Sequence, residues 1–142
     1  MFLVLLLWVA GPRDVEAVVL RFNQAFSERS LEGMLATLAD GSVRIDLFEA
    51  HRFSDAPPDP DMQINTGPAA ERWRQVTPII FALSTRYVRE VQAMETHVDG
   101  EMAVVWATIR AGSDTQFREI YILRRGSSGW KIAAMTNNRK DA

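Results

Sequence analysis

Three turn signals divide the C-terminal half of the chain into four apolar segments of strand length. Asp99-Gly100 is a strong hairpin signal, and glycine-rich turns follow at 112–114 and 126–129. The segments between the turns are rich in β-branched and aromatic residues, at 87–98, 103–109, 117–124 and 130–136. Strands joined by tight turns are antiparallel neighbours, so this half of the chain predicts a four-stranded meander.

The N-terminal half carries helical periodicity instead. Between residues 15 and 26 apolar side chains recur at the spacing of an amphipathic helix, with Asp14 as its predicted N-cap. Ser30 is predicted to cap a second helix over 31–38, which the Asp40-Gly41 turn ends. Alternation over 42–47 then predicts a short strand.

Prolines mark the middle of the chain. Residues 51–68 hold four of the six prolines and predict a long irregular loop. Pro68 is expected in the first turn of a third helix, which Pro78 interrupts, and Thr77 is expected to cap a further short turn.

Composition excludes several classes of function. The chain of 142 residues predicts one domain over 13–142, preceded by an apolar segment at 1–12. It has no cysteine, and its net charge of -2 gives no reason to expect nucleic acid as a partner. His51 and His97 are its only histidines and lack metal-ligand spacing. No nucleotide-binding or acyl-transfer motif occurs, so we expect neither a metal nor a cofactor.

The apolar run at 2–10 leaves localisation open. It is too short to span a membrane as a helix, so no membrane span is predicted. It resembles the apolar part of a secretory signal peptide, although no Lys or Arg precedes it and Trp8 fits poorly before a cleavage at Ala10. The alternative is a buried N-terminal extension. Export to the periplasm and a cytoplasmic location both remain open.

Helices followed by a meander favour an α+β domain with an antiparallel sheet. We expect a cone-shaped, curved antiparallel sheet wrapped by the N-terminal helices. A cone of this kind has an open mouth, which is a natural place for a small-molecule ligand.

The order of elements resembles the nuclear-transport-factor-2-like superfamily, which has a cystatin-like fold. The hairpin RRGSSGWKI at 124–132 resembles the closing strands of its SnoaL-like members, and the resemblance extends over 14–138. It implies the cone fold with its pocket. It does not imply one activity, because isomerases, dehydratases, hydrolases and binding modules share this fold.

Residues 21–46 are similar, without gaps, to the first two helices and first strand of ketosteroid isomerase. The resemblance places Asp46 at the general base, which in that enzyme works with an oxyanion hole of a tyrosine and a protonated aspartate. Phe22 takes the tyrosine's position and has no hydroxyl. Glu119 and Tyr121 share one strand face, and Tyr121 is the candidate donor from another direction.

Asp46 has a second interpretation, since it can face solvent or pair with the nearby Arg44. In SnoaL-like proteins the last strand often carries pocket histidines or acids. The alternation of Trp130 and Ile132 puts Ala134 and Thr136 at those positions, and neither side chain is ionisable near neutral pH. We expect the pocket lining to come from these residues: Phe22, Phe26, His51, Trp73, Trp106, Glu119, Ala134 and Thr136.

The sequence therefore predicts a domain that binds a small apolar or aromatic molecule without strong catalysis. The alternatives are an isomerase, dehydratase or cyclase with Asp46 as general base, and a homo-oligomeric interaction module. A homodimer is also predicted. Members of the superfamily commonly pair through the outer sheet face, and both faces of 103–109 are apolar here.

Overall fold

The computed structural model of the protein describes residues 11–47, 64–83, 87–112 and 115–139. These residues form three helices: α1 (Pro12–Ser27), α2 (Leu31–Leu35) and α3 (Ala69–Leu83). They also form six strands: β1 (Leu38–Asp46), β2 (Asn65–Pro68), β3 (Arg89–Asp99), β4 (Met102–Ala111), β5 (Thr115–Gly126) and β6 (Gly129–Asn137). The strands make one sheet in the order β2-β1-β6-β5-β4-β3.

The α+β class and the meander from β3 to β6 are confirmed, with one difference in the sheet. Strands β3 to β6 pair antiparallel in chain order, and β2 pairs antiparallel with β1. Strand β1 lies parallel to β6, so the sheet is mixed rather than wholly antiparallel. These two strands come from opposite ends of the chain, and no tight turn constrains their relative direction.

The helix boundaries depart from the sequence prediction at two places. Helix α1 begins at Pro12 with Gly11 as its N-cap, so Asp14 lies in the first turn instead of capping it. Proline suits that first position because its missing N–H has no partner there anyway. The predicted cap at Ser30 is confirmed, since its Oγ accepts from the Gly33 amide at 3.0 Å. Helix α2 is shorter than predicted because β1 begins at Leu38 and pairs with β6.

Helix α3 is continuous through Pro78, where an interruption was predicted. Pro68 is the last residue of β2 and lies just before the helix, not in its first turn. Pro78 is exposed, so the carbonyl that loses its amide partner faces solvent. Thr77 is buried, and its hydroxyl donates to the Trp73 carbonyl at 2.6 Å, so it caps no new turn.

The core lies between α1 and the inner face of the sheet. The apolar stripe of α1 is buried against alternate residues of β4, three of which are alanines: Ala103, Ala107 and Ala111. Small side chains at these positions let the helix approach the sheet closely. The other residues of β4 point away from the core. Trp106 is 45% exposed on this outer face, which corrects the prediction that it lines a cavity.

A bulge in β6 changes which of its residues face inward. Ile132 pairs with Leu123, but Ala134 pairs with Ile122, so Ala133 is an extra residue in the ladder. Simple alternation from Ile132 therefore fails. Ala134 and Thr136 lie on the outer face, contrary to prediction, and the inner face receives Met135 and Asn137 instead.

Candidate ligand-binding site

A cavity lies between α3 and the inner face of the sheet. Its volume is about 80 Å³. Helix α3 contributes Trp73, Val76 and Ile80, whose spacing of three and four residues puts them on one helix face. The remaining apolar and aromatic lining consists of Phe26, Leu47, Tyr87 and Phe117. Four of these seven apolar side chains are aromatic.

Arg44 and Asp46 bring opposite charges to the cavity from β1. They are two residues apart on a strand and so share a face, and Arg44 Nε donates to Asp46 Oδ1 at 2.9 Å. The side chains are 18% and 24% exposed. The Arg44 guanidinium also lies 5.1 Å from the centre of the Trp73 ring. The pairing of Asp46 with Arg44, which the sequence left as an alternative, is present in the structure.

A buried ionic network lies directly behind the cavity. Arg89 lines the cavity and forms an ion pair through Nη2 with Glu119 Oε1, with side chains that are 4% and 0% exposed. The Tyr121 hydroxyl donates to the same carboxylate oxygen. Asn23 of α1 completes the network, because its Oδ1 accepts from Arg89 Nε at 2.8 Å and its Nδ2 donates to the Tyr121 hydroxyl at 3.0 Å.

The network fixes the protonation of two of its members. Burial is the largest influence on Arg89 and disfavours its charged guanidinium, but Glu119, Tyr121 and Tyr87 together outweigh burial and hold the pKa of Arg89 above its ordinary value. Burial, and then the Glu119 carboxylate, raise the pKa of Tyr121 well above its ordinary value. Arg89 therefore stays charged, and Tyr121 stays a neutral hydrogen-bond donor.

Asn137 connects this network to the cavity surface. Its Nδ2 donates to Glu119 Oε2 at 2.9 Å, and its side chain lines the cavity. The bulge at Ala133 is the reason that Asn137 faces inward. Arg139, two residues further along the chain, donates to the Tyr87 hydroxyl, and its guanidinium lies 5.8 Å from the centre of the Phe117 ring.

Two further kinds of site have no basis in the described part of the chain. There, no group of three or more His, Asp or Glu side chains is placed to hold a metal ion. Within the same residues, no helix is both long and apolar enough to cross a membrane.

No protein-family model matches the chain, and no curated protein matches it. Solved structures do. An NTF2-like protein of unknown function from Pseudomonas putida KT2440 is 20% identical, with a TM-score of 0.66 over 89% of this chain and 84% of that one. A protein from Novosphingobium aromaticivorans, named "putative aromatic ring hydroxylase", is 14% identical, with a TM-score of 0.67 over 92% and 90%. A "putative ketosteroid isomerase" from Shewanella frigidimarina is 14% identical, with a TM-score of 0.65 over 88% and 94%.

The chain has the NTF2-like fold. The expected resemblance is confirmed at the level of architecture. Identities this low show the fold alone, because NTF2-like proteins with one backbone arrangement differ in the residues of their sites.

The NTF2-like fold brings some of the predicted site residues to the cavity. Asp46, Phe26 and Trp73 line it. Phe22 lies behind the lining, fully buried, with its ring centre 5.3 Å from that of Trp73. Their roles in binding or chemistry stay predictions.

Other predicted residues lie elsewhere. Glu119 and Tyr121 are buried behind the lining rather than in it, and the Tyr121 proton is directed to Glu119. Trp106, Ala134 and Thr136 face outward. His51 falls outside the described residues.

Four polar residues line the cavity that were not predicted from the sequence: Arg72, Arg89, Asn137 and Arg139. Arg89 had a usable signal, because strand alternation puts it on the same face as Tyr87 and Val91. A charged residue near the start of a strand is, however, usually exposed. Its burial depends on a carboxylate thirty positions away in the chain.

Proposed function

We propose that the protein binds a small molecule with an aromatic or apolar body in the cavity between α3 and the sheet. The observation that carries this proposal is the aromatic wall of a cavity that opens to the surface: Phe26, Trp73, Tyr87 and Phe117 all contribute to it. Concave sites with apolar walls and a few polar groups are the usual form of small-molecule sites.

Contacts behind the wall hold Trp73 in place. Its ring packs edge-on against Phe22 at 5.3 Å and Phe26 at 6.2 Å, and its Nε1 donates to Met135 Sδ at 3.4 Å. A ring fixed on both sides loses little conformational entropy when a ligand stacks on it. Preorganisation of this kind supports binding.

The test is a thermal-shift screen of small aromatic and apolar molecules against three proteins. Ile80→Trp fills the cavity, whereas Ile79→Trp makes the same change at the neighbouring exposed position of α3. A ligand at one hundred times its Kd stabilises the folded state by about 2.7 kcal/mol. We expect hits with wild type and Ile79→Trp and none with Ile80→Trp. Hits that Ile80→Trp keeps, or a screen without hits, would refute the proposal.

A second candidate function is proton abstraction next to a carbonyl, as in an isomerase, dehydratase or cyclase. It is favoured by Asp46, a carboxylate in the wall of the cavity. Arg89 lines the same cavity and can donate to a developing oxyanion, a role for which Phe22 has no hydroxyl. The contact with Arg44 weakens this candidate, because Arg44 Nε already occupies Asp46 Oδ1, one of the two oxygens that could accept a proton from a substrate.

Asp46→Asn tests the catalytic candidate, and Asp40→Asn on the exposed start of the same strand is its control. General-base catalysis contributes roughly 10²–10⁴-fold. On a model enolisable ketone, Asp46→Asn should lose about that factor while Asp40→Asn keeps the wild-type rate. Equal rates in all three proteins would exclude Asp46 as the base.

We also propose that the protein forms a homodimer through the outer face of the sheet. Met102, Trp106 and Ile122 are exposed there on neighbouring strands, at 55%, 45% and 39%. Contiguous apolar surface of this kind is typical of an interface. A dimer would cover it without touching the cavity on the inner face.

A further inference from the structure

Positive charge is concentrated at the cavity. Five charged residues line it, and four of them are arginines: Arg44, Arg72, Arg89 and Arg139. In the whole chain, by contrast, eighteen acidic residues outnumber sixteen basic ones. Among the described residues, the carboxylates at the cavity are Asp46 in its wall, paired with Arg44, and Glu119 behind it, paired with Arg89.

One guanidinium nitrogen of Arg89 makes no hydrogen bond with the described residues. Its Nε donates to Asn23 and its Nη2 to Glu119, so both of these groups are fixed by the fold. Its Nη1 donates to no described residue. Since Arg89 lines the cavity, this nitrogen is the part of the guanidinium available to a ligand.

Arg44 also lines the cavity, and one of its nitrogens is likewise without a described partner. Its Nε is engaged by Asp46, while its Nη1 is buried and has no hydrogen-bond partner in the described part of the chain. Both guanidinium groups approach the Trp73 ring, at 5.1 Å for Arg44 and 5.9 Å for Arg89. Buried donors are almost always hydrogen-bonded in folded proteins, so a ligand that brings an acceptor to Arg44 Nη1 would satisfy this donor.

We propose that the ligand of this cavity carries a carboxylate, which accepts from Nη1 of Arg44 and of Arg89 while its aromatic body lies against the wall. This inference rests on the proposed binding function and names its ligand class. Guanidinium groups suit a carboxylate because their planar N–H donors match its two oxygens.

Benzoate and benzamide provide the test, because they have the same shape and differ in charge. Calorimetric titration of the wild-type protein should give at least tenfold tighter binding of benzoate, and added salt should weaken benzoate alone. Arg44→Gln should remove most of this preference. Arg118→Gln makes the same charge change on the exposed outer face and should leave the preference intact.

A second variant protects the test against misfolding. Arg89→Met with Glu119→Gln removes both charges of the buried pair together, and it should also lose at least tenfold in benzoate affinity while still binding benzamide. Equal affinity of the wild type for benzoate and benzamide would overturn the carboxylate inference and leave the proposed function standing. If neither compound binds, the carboxylate inference is overturned, and the thermal-shift screen decides the proposed function separately. A benzoate preference that survives in both variants would overturn the assignment to Arg44 and Arg89.

Discussion

Replacement of Arg89 should lower the free energy of unfolding strongly. In Arg89→Met the side chain keeps much of its length and apolar contacts, but Glu119 is left as a fully buried carboxylate without its cation. Breaking a buried ion pair from one side typically costs about 3–5 kcal/mol. Glu119 would keep its bonds from Tyr121 and Asn137, so we expect a value at the lower end, about 3 kcal/mol.

Urea unfolding followed by tryptophan fluorescence measures this cost. A domain of this size has a total stability of about 5–15 kcal/mol, so the variant should still fold with a clearly lower midpoint. The corresponding fall in Tm is roughly 10 °C, at about 3 °C per kcal/mol. The m-value should stay unchanged if the native state is preserved.

The matched variant is Arg89→Met combined with Glu119→Gln. It removes both charges, so it should recover at least about 1 kcal/mol relative to Arg89→Met alone, as a double-mutant cycle detects for residues in direct contact. The argument is that each buried charge of the pair is stabilised by the other. A loss below about 1 kcal/mol for Arg89→Met, or a double variant no more stable than the single one, would refute it.

Three further predictions concern other parts of the molecule. The raised pKa of Tyr121 means that the unfolded chain loses this proton at a lower pH than the folded protein does. The contribution of Tyr121 to the free energy of unfolding should therefore be complete below about pH 10 and should fall above it by up to about 1.4 kcal/mol per pH unit. Urea midpoints measured against pH should fall less steeply for Tyr121→Phe, and an identical slope in both proteins would contradict the prediction. Trp106→Asp should convert the proposed dimer to a 16.0 kDa monomer by light scattering, whereas a wild-type protein that is already monomeric at micromolar concentration would rule the dimer out. Pro78→Ala lets an exposed helix position donate to the Arg74 carbonyl and should add about 1 kcal/mol or more to the free energy of unfolding; an unchanged or lower Tm would mean that the proline is compatible with the helix as it stands.

Local signals in the sequence predict most of the fold. The Asp99-Gly100 turn and the helical stripe of α1 act within a few residues, so they can be read without the tertiary structure. The parallel pairing of β1 with β6 cannot be read this way, because it joins segments that are about ninety positions apart. Continuity of α3 through Pro78 depends similarly on which side of the helix faces solvent.

The candidate site was predicted less completely because its polar part depends on distant contacts. The resemblance to ketosteroid isomerase placed Asp46 at the general base, and Asp46 does line the cavity, while its role stays a prediction. Arg89 is buried only because Glu119 and Asn23, from two other elements, surround its guanidinium. The residues next to Ala133 in the sequence give no signal of the bulge. Alternation along β6 therefore assigned Ala134 and Thr136 to the cavity, whereas Met135 and Asn137 face inward.

The extra residue at Ala133 has a consequence for the comparison of distant relatives. In a relative that lacks this residue, regular alternation would still turn the equivalents of Met135 and Asn137 inward, but one position earlier in the chain. An ungapped alignment would then equate inward with outward side chains from this point to the end of the strand. One deletion is therefore enough to put such an alignment out of register, although the strand keeps its place in the sheet. Alignments of such chains should be anchored on the partners in β5, with Tyr121 opposite Met135, rather than on residue identity in β6.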